Sequence, residues 1–312
     1  MPIQNNSEIQ FNLNSIIKEL SDPGSYNEMF HEPLHGEQLP STEKLNEIVE
    51  LLREILFPGF FGHSALHPDN LQYYIGVNIN KLFGLIYEQI LRGLCFDCKS
   101  EMKSGCQVEC AEKTRIIANK FMQRLPVIRH KLSTDIKATY NADPASKSMG
   151  EVIFCYPGIR AVMNYRIANE LLKLEVPLIP RIISEMAHSE TGIDIHPGAE
   201  IGEYFTIDHG TGVVIGETCI IGNNVRIYQG VTLGAKSFPV DENGNPIKGI
   251  PRHPIVKDNV IIYSQATILG RITVGENSII GGNVWIDHDL PPNSKVIQQK
   301  PKEGYFSDGA GI

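Results

Sequence analysis

Ile215-Gly-Glu-Thr-Cys-Ile-Ile-Gly-Asn-Asn-Val-Arg-Ile227 carries an aliphatic residue at every sixth position, Ile215, Ile221 and Ile227. That spacing is neither the alternation of a strand nor the three-to-four step of a helix. The series extends outward on both sides. Ile195, Ile201 and Ile207 precede it, Leu233 continues it, and Val256, Ile262, Ile268, Val274, Ile280 and Ile286 complete it. Four positions after most of these aliphatics stands a small or β-branched residue: Ala199, Thr211, Cys219, Val225, Val231, Val260, Ala266, Ser278 and Val284. A hexapeptide repeat of this kind predicts a parallel β-helix, because no unit buries its own apolar side and stacked coils supply the core. The aliphatic points into a narrow prism, and the small residue fits the crowded corner.

The spacing breaks twice. Between Ile207 and Ile215 the step is eight residues, and between Leu233 and Val256 it is twenty-three, an insertion that holds Asp241-Glu-Asn-Gly-Asn245 and Arg252-His-Pro254. Insertions in a solenoid form loops on one face, often the binding face. Chemistry is therefore sought at these two places.

Every strong helix signal precedes the repeat. Ser41 reads as an N-cap for a helix bearing Leu45, Ile48, Leu51, Leu52 and Ile55 and ended by Pro58-Gly59; a second runs from about Asp69 to the cysteines. A third runs from about Ala111 toward Tyr140, with Pro126 expected to kink or divide it. Further helical faces follow at Ile159 to Leu171 and, after Pro177 and Pro180, around Ile182 to Met186. The fold class is α+β. A helical region spans 1–190, with 1–40 an irregular arm of short turns that has room for one short helix; the β-helix spans 191–292, and 293–312 form a flexible tail.

The 312-residue chain has a formal charge of −8 and no basic cluster, which argues against nucleic acid. No apolar run is long enough for a membrane span, and Met-Pro-Ile-Gln-Asn-Asn6 lacks a leader pattern, so a cytoplasmic enzyme is expected. Six cysteines are too sparse for a disulfide scaffold. Cys95, Cys98, Cys106 and Cys110 lie close together; reduced thiols at a helix junction are the simpler reading, a metal knuckle the other.

Three polar clusters stand against the repeat: Asp194-Ile-His196-Pro, Asp208-His209-Gly-Thr-Gly212 with Glu217 beyond it, and Arg252-His253-Pro. Asp194 and His209 are fifteen residues apart, close to one coil, so they fall on neighbouring levels of similar faces. A carboxylate on one ring nitrogen fixes the tautomer and leaves the other nitrogen to take a proton. His196 precedes a corner Pro and reads as a turn residue. A zinc site from His196, His209 and His253 fits the spacing poorly.

The run Asp194-Ile-His-Pro-Gly-Ala-Glu-Ile-Gly202, then Ile207-Asp-His-Gly-Thr-Gly-Val-Val-Ile-Gly-Glu-Thr218, Gln229-Gly-Val-Thr-Leu-Gly234 and Arg252-His-Pro254 resembles the serine O-acetyltransferases. The likeness covers about residues 135–290 and includes Asp143-Pro-Ala145, Tyr156-Pro-Gly158 and Tyr165-Arg166. It implies a left-handed β-helix, assembled as a trimer commonly paired into a hexamer, that transfers acetyl from acetyl-CoA to L-serine in cysteine biosynthesis without a metal. In that resemblance His209 is the general base, Asp194 its orienter, Asp143 and Asp208 hold the serine amino group, Arg252 grips its carboxylate, and His253 is a second pocket histidine. Acetyl-CoA is implied to touch Gly234, Ala235, Ser264 and Gly270, although Tyr263-Ser-Gln265 stands where the family has small residues. A hexapeptide acetyltransferase for a sugar or other hydroxyl is the alternative, opposed by the zwitterion-reading set Asp143, Asp208 and Arg252. The ending Asp308-Gly-Ala-Gly-Ile312 resembles the tail with which the family enters cysteine synthase, making Ile312 a candidate partner-binding residue.

Overall fold

The computed structural model describes residues 6–31, 38–62, 65–97 and 106–299. Helices come first: α1 (Asn6–Leu20), α2 (Pro23–Tyr26), α3 (Thr42–Leu56), α4 (Pro68–Phe96), α5 (Cys106–Ala142), α6 (Met149–Cys155), α7 (Pro157–Lys173) and α8 (Ile179–Thr191). Short strands follow: β1 (Asp194–Ile195), β2 (Glu200–Ile201), β3 (Thr206–Asp208), β4 (Val214–Ile215), β5 (Ile220–Ile221), β6 (Arg226–Tyr228) and β7 (Thr232–Gly234). After the long insertion come β8 (Ile255–Val256), β9 (Ile261–Ile262), β10 (Thr267–Leu269), β11 (Thr273–Val274), β12 (Ile279–Ile280), β13 (Trp285–Ile286) and β14 (Lys295–Val296).

The strands pair in parallel into three sheets, the sides of a prism. In the order the chain visits them they are β1-β4-β7-β10-β13, β2-β5-β8-β11 and β3-β6-β9-β12-β14. This is a left-handed parallel β-helix of hexapeptide repeats behind a helical region. Each of the thirteen spaced aliphatics lies in the core, none more than 6% exposed. Fully buried, each contributes roughly 1.5–3 kcal/mol of apolar burial, which makes the stacked aliphatic column the main stabilising feature of the coils.

Corners decide which residues sit between the aliphatics. At the turn from the second sheet to the third, Asn224, Asn259, Asn277 and Asn293 all have φ between +56° and +62°. Asn is the side chain best suited to that left-handed conformation after Gly. The Asn224 amide donates to Asn259 Oδ1 at 2.9 Å and the Asn259 amide to Asn277 Oδ1 at 3.0 Å, so the corner is also a hydrogen-bonded column.

The first coil has no coil beneath it, and α7 caps its open edge. The Tyr165 phenol donates to Ala199 O at 2.7 Å and accepts from Ile201 N at 3.1 Å. Asn169 donates to Pro197 O and Ala199 O, and Arg166 donates to Gly202 O at 2.8 Å. Buried backbone groups need such partners, and the helical region supplies them.

Several expectations change. The arm 1–40 contains the fifteen-residue α1 and not just a short helix. Helix α5 runs unbroken through Pro126, which therefore does not divide it; the packing of α5 against α4 and α7 along its length outweighs one missing N–H. Thr211, read as a buried corner residue, is exposed, and Val213 fills the interior position at 0% exposure because Asp208-His-Gly210 lengthens this turn. The β-helix runs on past residue 292, since β14 pairs with β12. The long insertion folds into a hairpin, with Val240 bridging Pro246 and Asp241 Oδ1 accepting from Asn243 N and Asn245 N at 2.9 Å. Its root is pinned by Lys236 Nζ, 2.8 Å from Asp287 Oδ2 across the end of β10.

Candidate active site

His209 and Asp208 stand where β3 ends and the chain turns from the third sheet to the first. His209 has φ +55°, a left-handed conformation that is uncommon for a non-glycine residue. Its ring is largely exposed, and Nδ1 lies 3.8 Å from Asp208 Oδ1. Asp208 is half-buried and pairs in register with Tyr228 on β6.

Two helical segments close on this corner. The end of α5 is tied to the third sheet by Arg226 Nη1, which donates to Ala142 O at 3.3 Å, and Asp143 follows immediately. Asp143 Oδ1 accepts from Ala145 N at 2.8 Å, and Oδ2 accepts a short hydrogen bond from the Tyr156 phenol at 2.5 Å. The phenol first, then the Ala145 N–H and the nearby His209, hold the Asp143 carboxyl below the usual range. Tyr156 in turn is pushed up to about 12, chiefly by Asp143 and also by Asp208. Gly158 explains the approach: a Cβ there would lie 2.4 Å from Ile207 O, so only glycine lets α7 start against β3.

Asp194 opens β1 at the same corner one coil earlier, its register partner being Val214 on β4. Its side chain groups with Glu185 and His188 of α8, the ligand atoms of the three lying within 4.8 Å of one another. Carboxylates and a histidine this close are common at protein surfaces without an ion, and the grouping carries no metal assignment. His188 Nδ1 is 3.1 Å from Glu185 Oε2.

Arg252 and His253 occupy a different corner, where the chain turns from the first sheet to the second before β8. Arg252 Nη2 donates to Glu217 Oε2 at 2.7 Å. Thr218 organises the rest: its Oγ1 accepts from Arg252 N at 2.9 Å and His253 N at 3.1 Å, and its own N–H donates to His253 Nδ1 at 3.1 Å. Nδ1 is therefore an acceptor and the ring proton sits on Nε2. Burial first, then Arg252, lowers the His253 pKa and keeps the ring neutral. The imidazole packs against Gly216, where a Cβ would meet it at 2.0 Å. Glu217, a carboxylate just beyond the slipped unit in the regular Ile215–Ile221 repeat, takes its role from this contact with Arg252.

The residues implied to touch acetyl-CoA lie farther along the coils. Gly234 ends β7, and its carbonyl accepts from Gly270 N at 3.0 Å. Ala235 begins the insertion. Ser264 sits at the turn after β9, its carbonyl accepting from Asn283 N at 3.0 Å. Beside it Tyr263 stacks on Tyr228, ring centroids 5.1 Å apart and 13° from parallel, which extends a wall upward from Asp208. His196 serves the turn, its Nδ1 accepting from Gly198 N at 3.0 Å. Cys98, the side chain of Cys106 and Ile312 lie outside the described residues.

The fold and the two polar corners define a hexapeptide-repeat transferase, and the family model for the bacterial transferase hexapeptide (six repeats) matches residues 253–288. A plasmid-borne serine acetyltransferase of Synechococcus elongatus is 46% identical over 316 residues, covering 100% of this chain and 99% of its own. The crystal structure of Entamoeba histolytica serine acetyltransferase 1 in complex with L-cysteine superposes with a TM-score of 0.70 at 36% identity, covering 90% of this chain and 94% of that one. The Neisseria gonorrhoeae serine acetyltransferase in complex with serine gives 0.53 at 26% identity, covering 81% and 97%. The chain belongs to the serine acetyltransferase family.

Proposed function

We propose that this chain transfers the acetyl group of acetyl-CoA to the hydroxyl of L-serine, giving O-acetyl-L-serine and CoA for cysteine biosynthesis. The observation that carries the reading is the gathering of Asp143, Asp208 and His209 at one corner of a chain that matches a serine acetyltransferase end to end. A free alcohol is a weak nucleophile toward a thioester at neutral pH, so a positioned base is required. His209 takes the serine hydroxyl proton as the oxygen attacks the acetyl carbonyl. The tetrahedral intermediate then expels the CoA sulfur, which takes the proton from the imidazolium. Asp194, one coil away on the same corner, is the proposed orienter of the ring, although here its carboxylate groups with Glu185 and His188 and the carboxylate paired with His209 is that of Asp208, which adds negative charge beside the imidazolium. No step needs a metal ion.

Asp143 and Asp208 receive the serine ammonium group, and Arg252, steered by Glu217, receives its carboxylate, with neutral His253 beside it. These groups stand on two different corners of one prism. That separation supports a threefold oligomer in which one chain's Arg252 corner meets the next chain's His209 corner, paired into a hexamer through the helical regions. Gly234, Ala235, Ser264 and Gly270 are the proposed path for acetyl-CoA along the coils. A cytoplasmic location belongs to the same reading; none of the described helices is long and apolar enough to cross a membrane. Ile312 is proposed to engage cysteine synthase. The deciding experiment is CoA release with L-serine, compared with other amino acids and with sugars. Release with serine alone supports the reading, and release with a sugar alone replaces it with the sugar-acetyltransferase alternative.

A further inference from the structure

We propose that Tyr156 is a positioning residue for the amino-acid acceptor: its phenol holds the Asp143 carboxylate in the orientation that receives the substrate's ammonium group. This rests on the reading of the His209 corner as the acceptor site.

Asp143 follows a helix end on a short turn, where an unrestrained carboxylate would rotate freely. Each of its oxygens is instead held by one donor, Ala145 N on Oδ1 and the Tyr156 phenol on Oδ2. An ionised carboxylate has about four acceptor positions, so each oxygen keeps capacity for a ligand donor.

Tyr156 is itself rigidly placed. It closes α6, its N–H donating to Val152 O at 3.3 Å, and it caps α7, its carbonyl accepting from Ile159 N at 3.1 Å. Pro157 follows, and Gly158 lies against the β3 backbone one residue before Asp208. The tyrosine that holds Asp143 thus stands two residues before the glycine that packs on Ile207, the neighbour of Asp208. A purely structural role for the hydroxyl has little to explain, because the α6–α7 junction is held by backbone bonds and by the packing of the helices.

The test uses the full chain. Tyr156→Phe is expected to raise the KM for L-serine about tenfold, the scale of one lost hydrogen bond to a charged group, while kcat and the KM for acetyl-CoA stay within about twofold. Because Tyr156 acts through Asp143, the double variant D143N/Y156F is expected to be no worse than D143N alone. The carboxyl-carbon NMR titration of Asp143 is expected to move upward in Y156F. An unchanged serine KM, an equal rise in both KM values, or full additivity with D143N overturns the proposal. Failure of the wild-type chain to acetylate serine strikes the reading of the site itself, and the Asp143 titration then reports separately on whether Tyr156 holds the carboxylate.

Discussion

Arg166 and Asp135 meet in a two-pronged ion pair beneath the first coil, Nε to Oδ2 at 2.7 Å and Nη2 to Oδ1 at 2.8 Å, with both side chains at most 3% exposed. Asp135 Oδ1 also accepts from Phe205 N at 3.0 Å, and Arg166 donates to Gly202 O, so the pair fastens α5 and α7 to the β-helix. Burial pushes the Asp135 carboxyl up, and Arg166 with the Phe205 N–H opposes that shift. Removing one partner strands a buried charge: Arg166→Met is expected to lower stability by about 3–5 kcal/mol, read by urea unfolding. A loss below about 1 kcal/mol, the scale of an exposed pair, would show that water reaches Asp135.

His209→Ala is expected to reduce turnover by roughly two to four orders of magnitude, the usual contribution of a general base. Circular dichroism and the melting temperature are expected to be unchanged, since the ring is largely exposed. Near-normal turnover in the folded variant removes His209 from the mechanism.

Arg252→Ala is expected to raise the serine KM far more than the acetyl-CoA KM, because one substrate carries the carboxylate. Glu217→Gln is expected to shift the serine KM in the same direction by a smaller factor, since it weakens the ion pair that orients the guanidinium. Steady-state kinetics in both substrates decides this; equal effects on the two KM values count against it.

The half-buried His196 and the buried His253 set an acid limit. His196 is lowered from 6.5, first by burial and then by Arg181, as His253 is by burial and Arg252. With folded pKa values below the unfolded one, the unfolded chain binds more protons in the window just under 6.5, so stability is fully present above that pH and falls as acid is added. His196→Asn keeps an acceptor for Gly198 N and removes one titrating group. Its melting temperature is expected to decline less between pH 7 and 5.5 than that of the parent, and an identical decline assigns the acid sensitivity elsewhere.

A synthetic peptide of residues 303–312 is expected to bind cysteine synthase and compete with its substrate, and the peptide lacking Ile312 is expected not to. Calorimetry with both peptides checks it: no heat and no inhibition from the full peptide leaves the tail without this role.

The period-six aliphatics are legible because one physical demand, filling a narrow prism, recurs from Ile195 to Ile286 with two interruptions. The two breaks were legible for the same reason, and they led to His209 and Arg252. Tyr165 and Arg166 were visible only through resemblance: they cap an edge distant in sequence, and helix α7 is buried along nearly its whole length, so no amphipathic pattern marks them. Tyr156 and Glu217 were hidden likewise, each defined by a partner 13 or 35 residues away. Glu185 and His188 escaped notice because their meeting with Asp194 depends on how α8 ends. The hairpin in the insertion was unread because one bridge between Val240 and Pro246 leaves no periodic trace.

The asparagine column at the corner makes the length of the molecule come in whole steps. Asn259 and Asn277 are 18 residues apart, and Asn224 meets Asn259 although 35 residues separate them, because the intervening hairpin leaves and rejoins the coil at the same level. A tandem duplication of one 18-residue level would present the same side chain to the same neighbour and be absorbed as an added storey. A duplication of any length out of phase with the coil would have to leave the prism as a loop. The segment between Leu233 and Val256 shows the second arrangement, a side balcony that leaves the storeys above and below in step.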